Sequence, residues 1–403
     1  MELSKDLLVI KNEKKTLAYN YFMHRACIID TPLFDKIEQN KLIIEEFVKN
    51  EKDKNIDFLF DNGVIIQDRE YYKKLSHTNI IMKKKRTVDL NIVYLHITQR
   101  CNLRCSYCYN SDNLNRPDGI TINECKEIAN KLKNCGVKKI IITGGEPFIR
   151  KDLLEICKIF KEHGFSLEIL TNGSLINRNI EVLDFIDKAV ISIDTFDDAK
   201  NLRIGLDLDK FKEIIKMVAH KYSDKIILRS VITKKDEESW KTIKEFANEL
   251  NCSFIQSVFS PNNISEISLI PSIDCAEKIG DELTQLSGVI CGACFKEIAI
   301  DSNGDIYPCQ SLVKSHFLIS NIFTNNWFDE LNESKITKYF KERFICNVEG
   351  CSKCNYKYIC GGGCPAISYN LYGDLNRNAE PMCKFHIKES NEKLEKVLEY
   401  YGG

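Results

Sequence analysis

The sequence predicts an α/β protein built on six consecutive β/α repeats, with a smaller α+β module before them and a cysteine-rich region after. Three observations carry that expectation. From residue 91 to residue 258, strand-length apolar runs alternate with helix-length amphipathic runs. Connectors of that length require neighbouring strands to run parallel. Three cysteines, Cys101, Cys105 and Cys108, crowd the loop after the first of these strands, and a second group of thiols crowds the stretch from Cys291 to Cys383.

The whole chain sets the bounds. Its 403 residues are enough for two or three domains, and 43% hydrophobic with 29% charged residues is an ordinary globular balance. A formal net charge of −1 gives no footprint for nucleic acid or a membrane surface. No apolar run approaches the ~18 residues that span a bilayer. The start, MELSKDLLVIKNEKK, has no secretory h-region, so a cytoplasmic location is expected. In a reducing compartment eighteen cysteines point to metal ligation or catalysis, not to a disulfide scaffold.

Residues 1–75 read as the first module. Leu7–Ile10, Thr16–Phe22 and Ala26–Asp30 have strand composition. Thr31-Pro32 starts a helix, with Thr as N-cap and Pro at the first helical position. Further helices are expected over Lys41–Lys49 and Ile56–Asp61, the latter stopped by Asn62-Gly63, with a last strand at Val64–Gln67. Residues 76–90, with Lys83, Lys84, Lys85 and Arg86, read as a solvated linker.

Residues 91–275 hold the repeats. Strands are expected near 91–98, 139–143, 166–171, 188–194, 225–231 and 252–258, and helices near 121–135, 150–163, 178–186, 208–222 and 236–250. Thr121 and Glu124 make a capping box for the first helix. Such a series suggests a partial (β/α)6 barrel, whose chemistry gathers at the C-terminal ends of the strands. The motifs fall there. Gly144-Gly145-Glu146-Pro147 follows the second strand, Thr171-Asn172-Gly173 the third, and Ser192-Ile193-Asp194 ends the fourth. Two glycines allow a tight turn and close approach to a ligand. A carboxylate beside exposed amides could hold an α-amino group; a plain strand–helix turn is the alternative.

The C-x3-C-x2-C spacing of Cys101, Cys105 and Cys108 offers three thiolates on one short loop. They can hold three corners of a four-iron cluster and leave the fourth iron open; a three-cysteine zinc site is the alternative. With Gly144-Gly145-Glu146-Pro147 downstream, the chain resembles the radical S-adenosylmethionine (SAM) superfamily. That resemblance implies that SAM binds the open iron and is reductively cleaved to a 5′-deoxyadenosyl radical. It implies SAM contacts at Tyr107, at Gly144, Gly145, Glu146 and Pro147, and at Asn172, Ser192, Asp194 and Arg203. Arg203 would pair the SAM carboxylate; a surface ion pair with Asp197 or Asp198 is the plainer reading.

Residues 276–403 carry Cys294, Gly304 and Cys309, then Cys351-x2-Cys354-x5-Cys360-x3-Cys364, and Cys383. Gly304 fits a hairpin turn that presents Cys309. The spacing resembles the SPASM domain, which implies two further [4Fe-4S] clusters, three in all. The implied ligands are Cys291, Cys294, Cys309 and Cys364 for one, and Cys351, Cys354, Cys360 and Cys383 for the other. A pair of zinc knuckles is the alternative, and Cys346 is a spare thiol. Cys27, Cys125, Cys135, Cys157, Cys252 and Cys275 read as core residues, and Lys384–Tyr400 as a closing helix.

Three strands followed by helices make the first module resemble the PqqD-like, winged-helix leader-recognition element, which takes a leader peptide as an added strand; a structural extension is the alternative. Together these resemblances imply a maturase of ribosomally made peptides that forms thioether crosslinks, of the sactipeptide or ranthipeptide type. They imply a precursor peptide with a leader and a reductant such as flavodoxin or ferredoxin as partners. Gln310, after Cys309, cannot take a proton, which speaks against sulfatase-type chemistry. Sulfatase-type or carbon–carbon crosslinking maturases remain alternatives, as does a non-catalytic peptide-binding or electron-transfer protein. No side chain is singled out as catalytic.

Overall fold

The computed structural model describes residues 2–21, 23, 25–39, 54–66, 87–114, 119–275 and 291–401. The chain divides into two compact units. One comprises residues 1–85, 278–291 and 344–403; the other comprises residues 86–277 and 292–343.

In the first unit, β1 (Glu2–Leu3) is followed by β2 (Leu7–Lys11), β3 (Lys15–Asn20) and β4 (Arg25–Asp30). The last three lie close to the three strands that the sequence predicts, and they form an antiparallel sheet in that order. Helix α1 (Thr31–Gln39) starts at the Thr-Pro signal, and α2 (Lys54–Asp61) ends at Asn62-Gly63, where Gly63 takes φ +67°. β5 (Ile65–Ile66) then pairs antiparallel with β1, a partner the sequence did not announce. The helix expected over 41–49 and most of the 76–90 linker lie outside the described residues. One face of the sheet buries Ala18, Cys27 and Ile29 with Phe34 and Ile37 of α1.

The second unit is a nine-stranded sheet. Its strands are β6 (Ile92–Thr98), β8 (Lys139–Gly144), β9 (Ser166–Thr171), β10 (Lys188–Ser192), β12 (Ile226–Ile232), β13 (Ser253–Val258), β14 (Glu297–Ile300), β15 (Asp305–Tyr307) and β16 (Ser320–Asn321). A small ladder, β7 (Arg104–Cys105) with β11 (Arg203–Ile204), stands apart from it. All six expected repeat strands are present and pair parallel, in the spatial order β13-β12-β10-β9-β8-β6. Helices α3 (Ile122–Asn134), α4 (Leu153–Glu162), α5 (Leu208–Tyr222) and α6 (Ser239–Glu249) cross between them. The capping box is formed on both sides: Glu124 N donates to Thr121 Oγ1 (3.3 Å) and Thr121 N to Glu124 Oε2 (2.6 Å). The helix expected over 178–186 is instead a 3-10 stretch, Ile176–Phe185, broken at Asn179 (φ −149°, ψ 59°). Its asparagines compete for backbone bonds, which disfavours a regular helix.

Alternation along each strand sorts the side chains. Val93, Leu95 and Ile97, like Ile140, Ile142, Leu167, Ile169, Ala189, Ile191, Ile226 and Leu228, join one apolar core with α3 to α6. Each fully buried Ile or Leu contributes about 1.5–3 kcal/mol. The residues between them, among them Tyr94, His96, Thr143, Ser192 and Arg229, face the other side. On a flat sheet β6 and β12, four strand spacings apart, would be about 19 Å distant. Yet Phe259, next after β13, packs its ring 5.7 Å from that of Tyr107 on the loop after β6, and Asn262 Nδ2 donates to Tyr107 O at 3.2 Å, so the sheet curls and that side is the lumen of a partial barrel.

The sheet continues beyond residue 275. β14 pairs parallel with β6, and β15 returns antiparallel across the hairpin turn at Gly304 (φ +82°). A Cβ on Gly304 would stand 2.4 Å from the Phe323 ring. Helices α7 (Trp327–Glu333) and α8 (Lys335–Glu342) complete this unit. Helices α9 (Lys357–Cys360), α10 (Pro365–Tyr372) and α11 (Glu380–Tyr401) belong to the first unit. There Ile359, Leu394 and Leu398 cover the second face of the three-stranded sheet, against Leu17 and Tyr19.

Candidate functional site: a thiol triad at the mouth of the barrel

Thr98 ends β6, and the next residues leave the sheet as the cysteine loop. Two neighbours fix its shape. Gly145 N donates to Thr98 O and Glu146 N to Arg100 O, both at 2.8 Å. That contact leaves no room for side chains. A Cβ on Gly144 (φ +126°) would meet Thr98 O at 2.0 Å, and one on Gly145 would meet Arg100 O at 2.1 Å. The paired glycines are thus required by close approach of two backbones. From the next strand, Asn172 Nδ2 donates to Asn102 Oδ1 (3.0 Å), and Asn102 Nδ2 donates to Ser174 Oγ (2.9 Å). Within the loop, buried amides knit Asn110 to Gln99 (2.8 Å) and Asn113 to Asn110 (2.9 Å). Arg150 is buried below and donates to Ile97 O (3.0 Å) and Ile120 O (2.8 Å).

So braced, the loop gathers its three thiols. Burial pushes each above its ordinary value, and each is raised further by one of the others: Cys101 by Cys105, Cys105 by Cys108, and Cys108 by Cys101. All three residues are half-buried on this one loop. The Arg203 guanidinium works in the opposite direction on Cys105 and Cys108, and Leu103 N donates to Cys101 Sγ (3.5 Å). A cationic cluster in this place would favour the thiolates that burial alone opposes, so the donor set fits a four-iron cluster with three cysteine ligands. Among the described residues no three His, Cys, Asp or Glu side chains gather tightly enough to hold a single metal ion.

Four of the residues that the resemblance assigns to SAM, Glu146, Arg203, Asp194 and Tyr107, also bond within the protein. Glu146 is fully buried and accepts from Phe148 N (3.1 Å), Thr171 Oγ1 (2.7 Å) and Asn172 N (2.7 Å). Its carboxylate ties the Gly-Gly turn to the Thr-Asn-Gly turn. Burial raises its pKa, against those three donors. Arg203 is buried, not a surface partner of Asp197 or Asp198. Its Nε donates to Asp194 Oδ2 (2.9 Å) and its Nη2 to Asp194 Oδ1 (3.3 Å). Tyr107 OH and Val231 N also donate to Asp194. Burial opposes the guanidinium charge, and the Asp194 carboxylate more than offsets it, holding Arg203 above its usual value. Tyr107, raised well above its ordinary range by burial, lies under this guanidinium. Pro147 is buried and opens a 3-10 turn. Ser192 ends β10 at the barrel mouth, half-buried.

The far end of the lumen also carries thiols. β14 runs parallel to β6, so Cys294, just before β14, lies at the end where β6 begins. Cys294 N donates to Glu297 O (2.9 Å) and to Pro308 O (3.1 Å), next to Cys309. Cys294 holds φ +67°, an uncommon backbone state that persists only where its surroundings fix it. Cys309 acts on the Tyr94 hydroxyl, which faces the lumen. Cys291 and Cys364 fall in the other compact unit. Within that unit, Cys354 and Cys360 both act on Cys383, and Cys354 acts on Cys360. Cys354 N donates to Cys351 O (2.9 Å). Cys346 Sγ pairs with Tyr358 OH (3.3 Å). The expected core thiols are buried, except Cys135, which is half-buried.

Sequence reasoning missed Gln99, Asn110 and Asn113, and it missed Arg229. The signal for Arg229 was available: a lone charge amid the apolar residues of β12, IILRSVI.

Comparison with known proteins agrees with this geometry. Probable GTP 3',8-cyclase of Pyrococcus horikoshii is 34% identical over 163 residues, 39% of this chain and 52% of the cyclase, so the chain spans about half of that relative's length. The antilisterial bacteriocin subtilosin biosynthesis protein AlbA of Bacillus subtilis is 26% identical over 341 residues, covering 75% of this chain and 72% of that protein. The crystal structure of Streptococcus suis SuiB bound to precursor peptide SuiA shares the fold, with a TM-score of 0.60 at 18% identity over 94% of this chain and 98% of that one. The family model that matches is that of the Radical SAM superfamily, over residues 95–250 of this chain.

Proposed function

We propose that the chain is a radical SAM maturase of a ribosomally made peptide, and that it joins a cysteine sulfur of that peptide to a carbon of another residue. The observation that carries this reading is the pair of thiol sets at the two ends of one lumen: the braced triad at the mouth, and Cys294 with Cys309 at the base. When bound, SAM and the mouth cluster supply a 5′-deoxyadenosyl radical that removes a hydrogen from the substrate. The protein's part is to hold the loop rigid, keep Cys105 and Cys108 beside the Arg203 charge, and line the lumen with the side chains that orient a peptide.

The auxiliary clusters belong to the same proposal. Cys294 and Cys309, with Cys291 and Cys364, would ligate one; Cys351, Cys354, Cys360 and Cys383 would ligate the other. The mutual electrostatic reach of Cys354, Cys360 and Cys383 supports the second set. A cluster held at the base of the lumen by Cys294 and Cys309 would favour a cysteine-bearing substrate and could take up the electron left on the product. The antiparallel β2-β3-β4 sheet with α1 and α2 would bind the leader as an added strand. The bacteriocin biosynthesis relative supports a peptide substrate.

The test is anaerobic. Reconstituted protein, SAM and dithionite should yield 5′-deoxyadenosine, and a cysteine-bearing precursor peptide supplied with them should become two mass units lighter. Replacement of Cys101, Cys105 and Cys108 by Ala should abolish both. Unchanged 5′-deoxyadenosine from that triple variant overturns the reading, and cleavage without any change in the peptide returns the chain to another substrate.

A further inference from the structure

Arg229 lies in the middle of β12 and points into the lumen. Ile226 and Leu228 join the helix-side core, so Ile227, Arg229 and Val231 line the opposite side. Its Nε–H donates to Ser257 Oγ at 3.1 Å. No described carboxylate lies within ion-pair distance of it, and no other hydrogen bond engages its two terminal nitrogens among the described residues. The other candidate cation of this site, Arg203, is spent on Asp194. The acidic groups that act on Tyr94 do not serve it: Glu168 is paired with Lys139, and Glu297, raised by burial, has no ion-pair partner among the described residues. Arg229 acts on Tyr109, whose hydroxyl reaches Thr143 and which also feels Cys108. It acts equally on Tyr94, which feels Cys309 at the far end. Directly across from Arg229 in the β10–β12 register is Ser192, whose hydroxyl has no partner among the described residues.

A half-buried guanidinium without a counter-ion is costly, and a carboxylate entering the lumen would relieve that cost. Its planar fork matches a carboxylate through two parallel bonds, and Ser192 can donate a third. We propose that Arg229, assisted by Ser192, binds a carboxylate of the peptide substrate and so selects an acidic residue close to the cysteine that reacts. This rests on the peptide-maturase reading above. A charge placed between Tyr109 at the mouth and Tyr94 toward the base lies along the path that a peptide segment must occupy. SAM's own carboxylate is the other source of the same chemistry, and the experiment separates the two.

Two fluorescein-labelled decapeptide pools serve as probes. Both have a central cysteine and random flanks, with Asp next to the cysteine in one pool and Asn in the other. Anisotropy is read on the iron-reconstituted, SAM-loaded wild type and on Arg229→Gln and Arg229→Lys, each checked for iron content and melting temperature. Binding of labelled SAM is measured separately by equilibrium dialysis. The wild type should prefer the Asp pool by about tenfold. Arg229→Gln should lose the preference, Arg229→Lys should keep part of it, and SAM affinity should hold within about twofold. Equal binding of both pools to the wild type, or a preference that survives in Arg229→Gln, overturns the assignment. Loss of SAM affinity in Arg229→Gln with the pool preference intact overturns it in favour of SAM's carboxylate. Binding of neither pool to the wild type strikes the peptide reading itself, and the proposal with it.

Discussion

Replacing Arg203 by Met tests whether this arginine serves the fold or the cofactor. Its side chain and that of Asp194 are each 9% exposed, and the pair is held by two hydrogen bonds. Removing one partner of a buried pair leaves an uncompensated charge and costs about 3–5 kcal/mol. For a unit of this size that corresponds to a fall in melting temperature of roughly 10 °C. Asp194 would keep Tyr107 OH and Val231 N as donors, which argues for the lower end of the range. Asp194→Asn should cost a similar amount, because it strands the guanidinium. The double variant should cost less than the sum of the two, since neither charge is then left alone.

The assay is urea unfolding of all four proteins, read by circular dichroism, beside SAM binding by equilibrium dialysis at low temperature. If Arg203 is a brace, stability falls in both single variants, while SAM affinity of the folded protein moves by about threefold or less, under 1 kcal/mol. The reasoning is refuted by the opposite pattern. That pattern is an Arg203→Met protein within about 1 kcal/mol of wild type in stability that has lost SAM affinity tenfold or more.

Three further outcomes follow from the same geometry. Gly145→Ala should prevent cluster retention at the triad, because its Cβ would meet Arg100 O at 2.1 Å and force apart the two 2.8 Å bonds that shape the loop; iron per chain should drop by one cluster's worth after reconstitution. Glu146→Gln should change the pH dependence of stability. Burial raises Glu146 above its ordinary value of 4.5, so the native state holds that proton longer than the unfolded chain. Its contribution therefore weakens stability as pH rises from about 4.5 through the raised value, and the amide should flatten that slope in unfolding midpoints. Cys354→Ala with Cys360→Ala should remove one cluster's iron while the triad still supports SAM cleavage. Unchanged iron in that variant counts against the second auxiliary set.

What could be read from the sequence divides along a physical line. The six repeat strands were legible because alternation between an apolar core side and a lumen side is a local pattern, repeated at Val93, Leu95 and Ile97 and again at Ile226 and Leu228. The cysteine triad was legible because ligands on one short loop are bound together by the chain itself. The stretch over 176–185 misled because hydrophobic period ignores side chains that compete for the backbone, as at Asn179. Partner choice was not legible at all. Asp194 could have faced solvent, ribose or an arginine; only the β7–β11 ladder, which brings Arg203 beside Cys105, decides it. The same holds for β14, whose pairing with β6 joins residues some two hundred positions apart.

The bracing of the site bears on which side chains remain for ligands. Glu146 and Arg203 were assigned to the cofactor from resemblance, Glu146 through the Gly144-Gly145-Glu146-Pro147 motif and Arg203 through its place eleven residues after Ser192. Here both are consumed in holding three loops together: Glu146 joins the turns after β8 and β9, and Asp194 joins Arg203, Tyr107 and β12. A loop whose thiols are buried against their own charge needs such bracing, since mutual repulsion would otherwise spread the triad whenever the thiols ionise. The residues left over for ligands are then those the brace does not use. Among the described lumen residues these include Ser192 and Arg229, and it is the exhaustion of Arg203 that makes the free guanidinium of Arg229 meaningful.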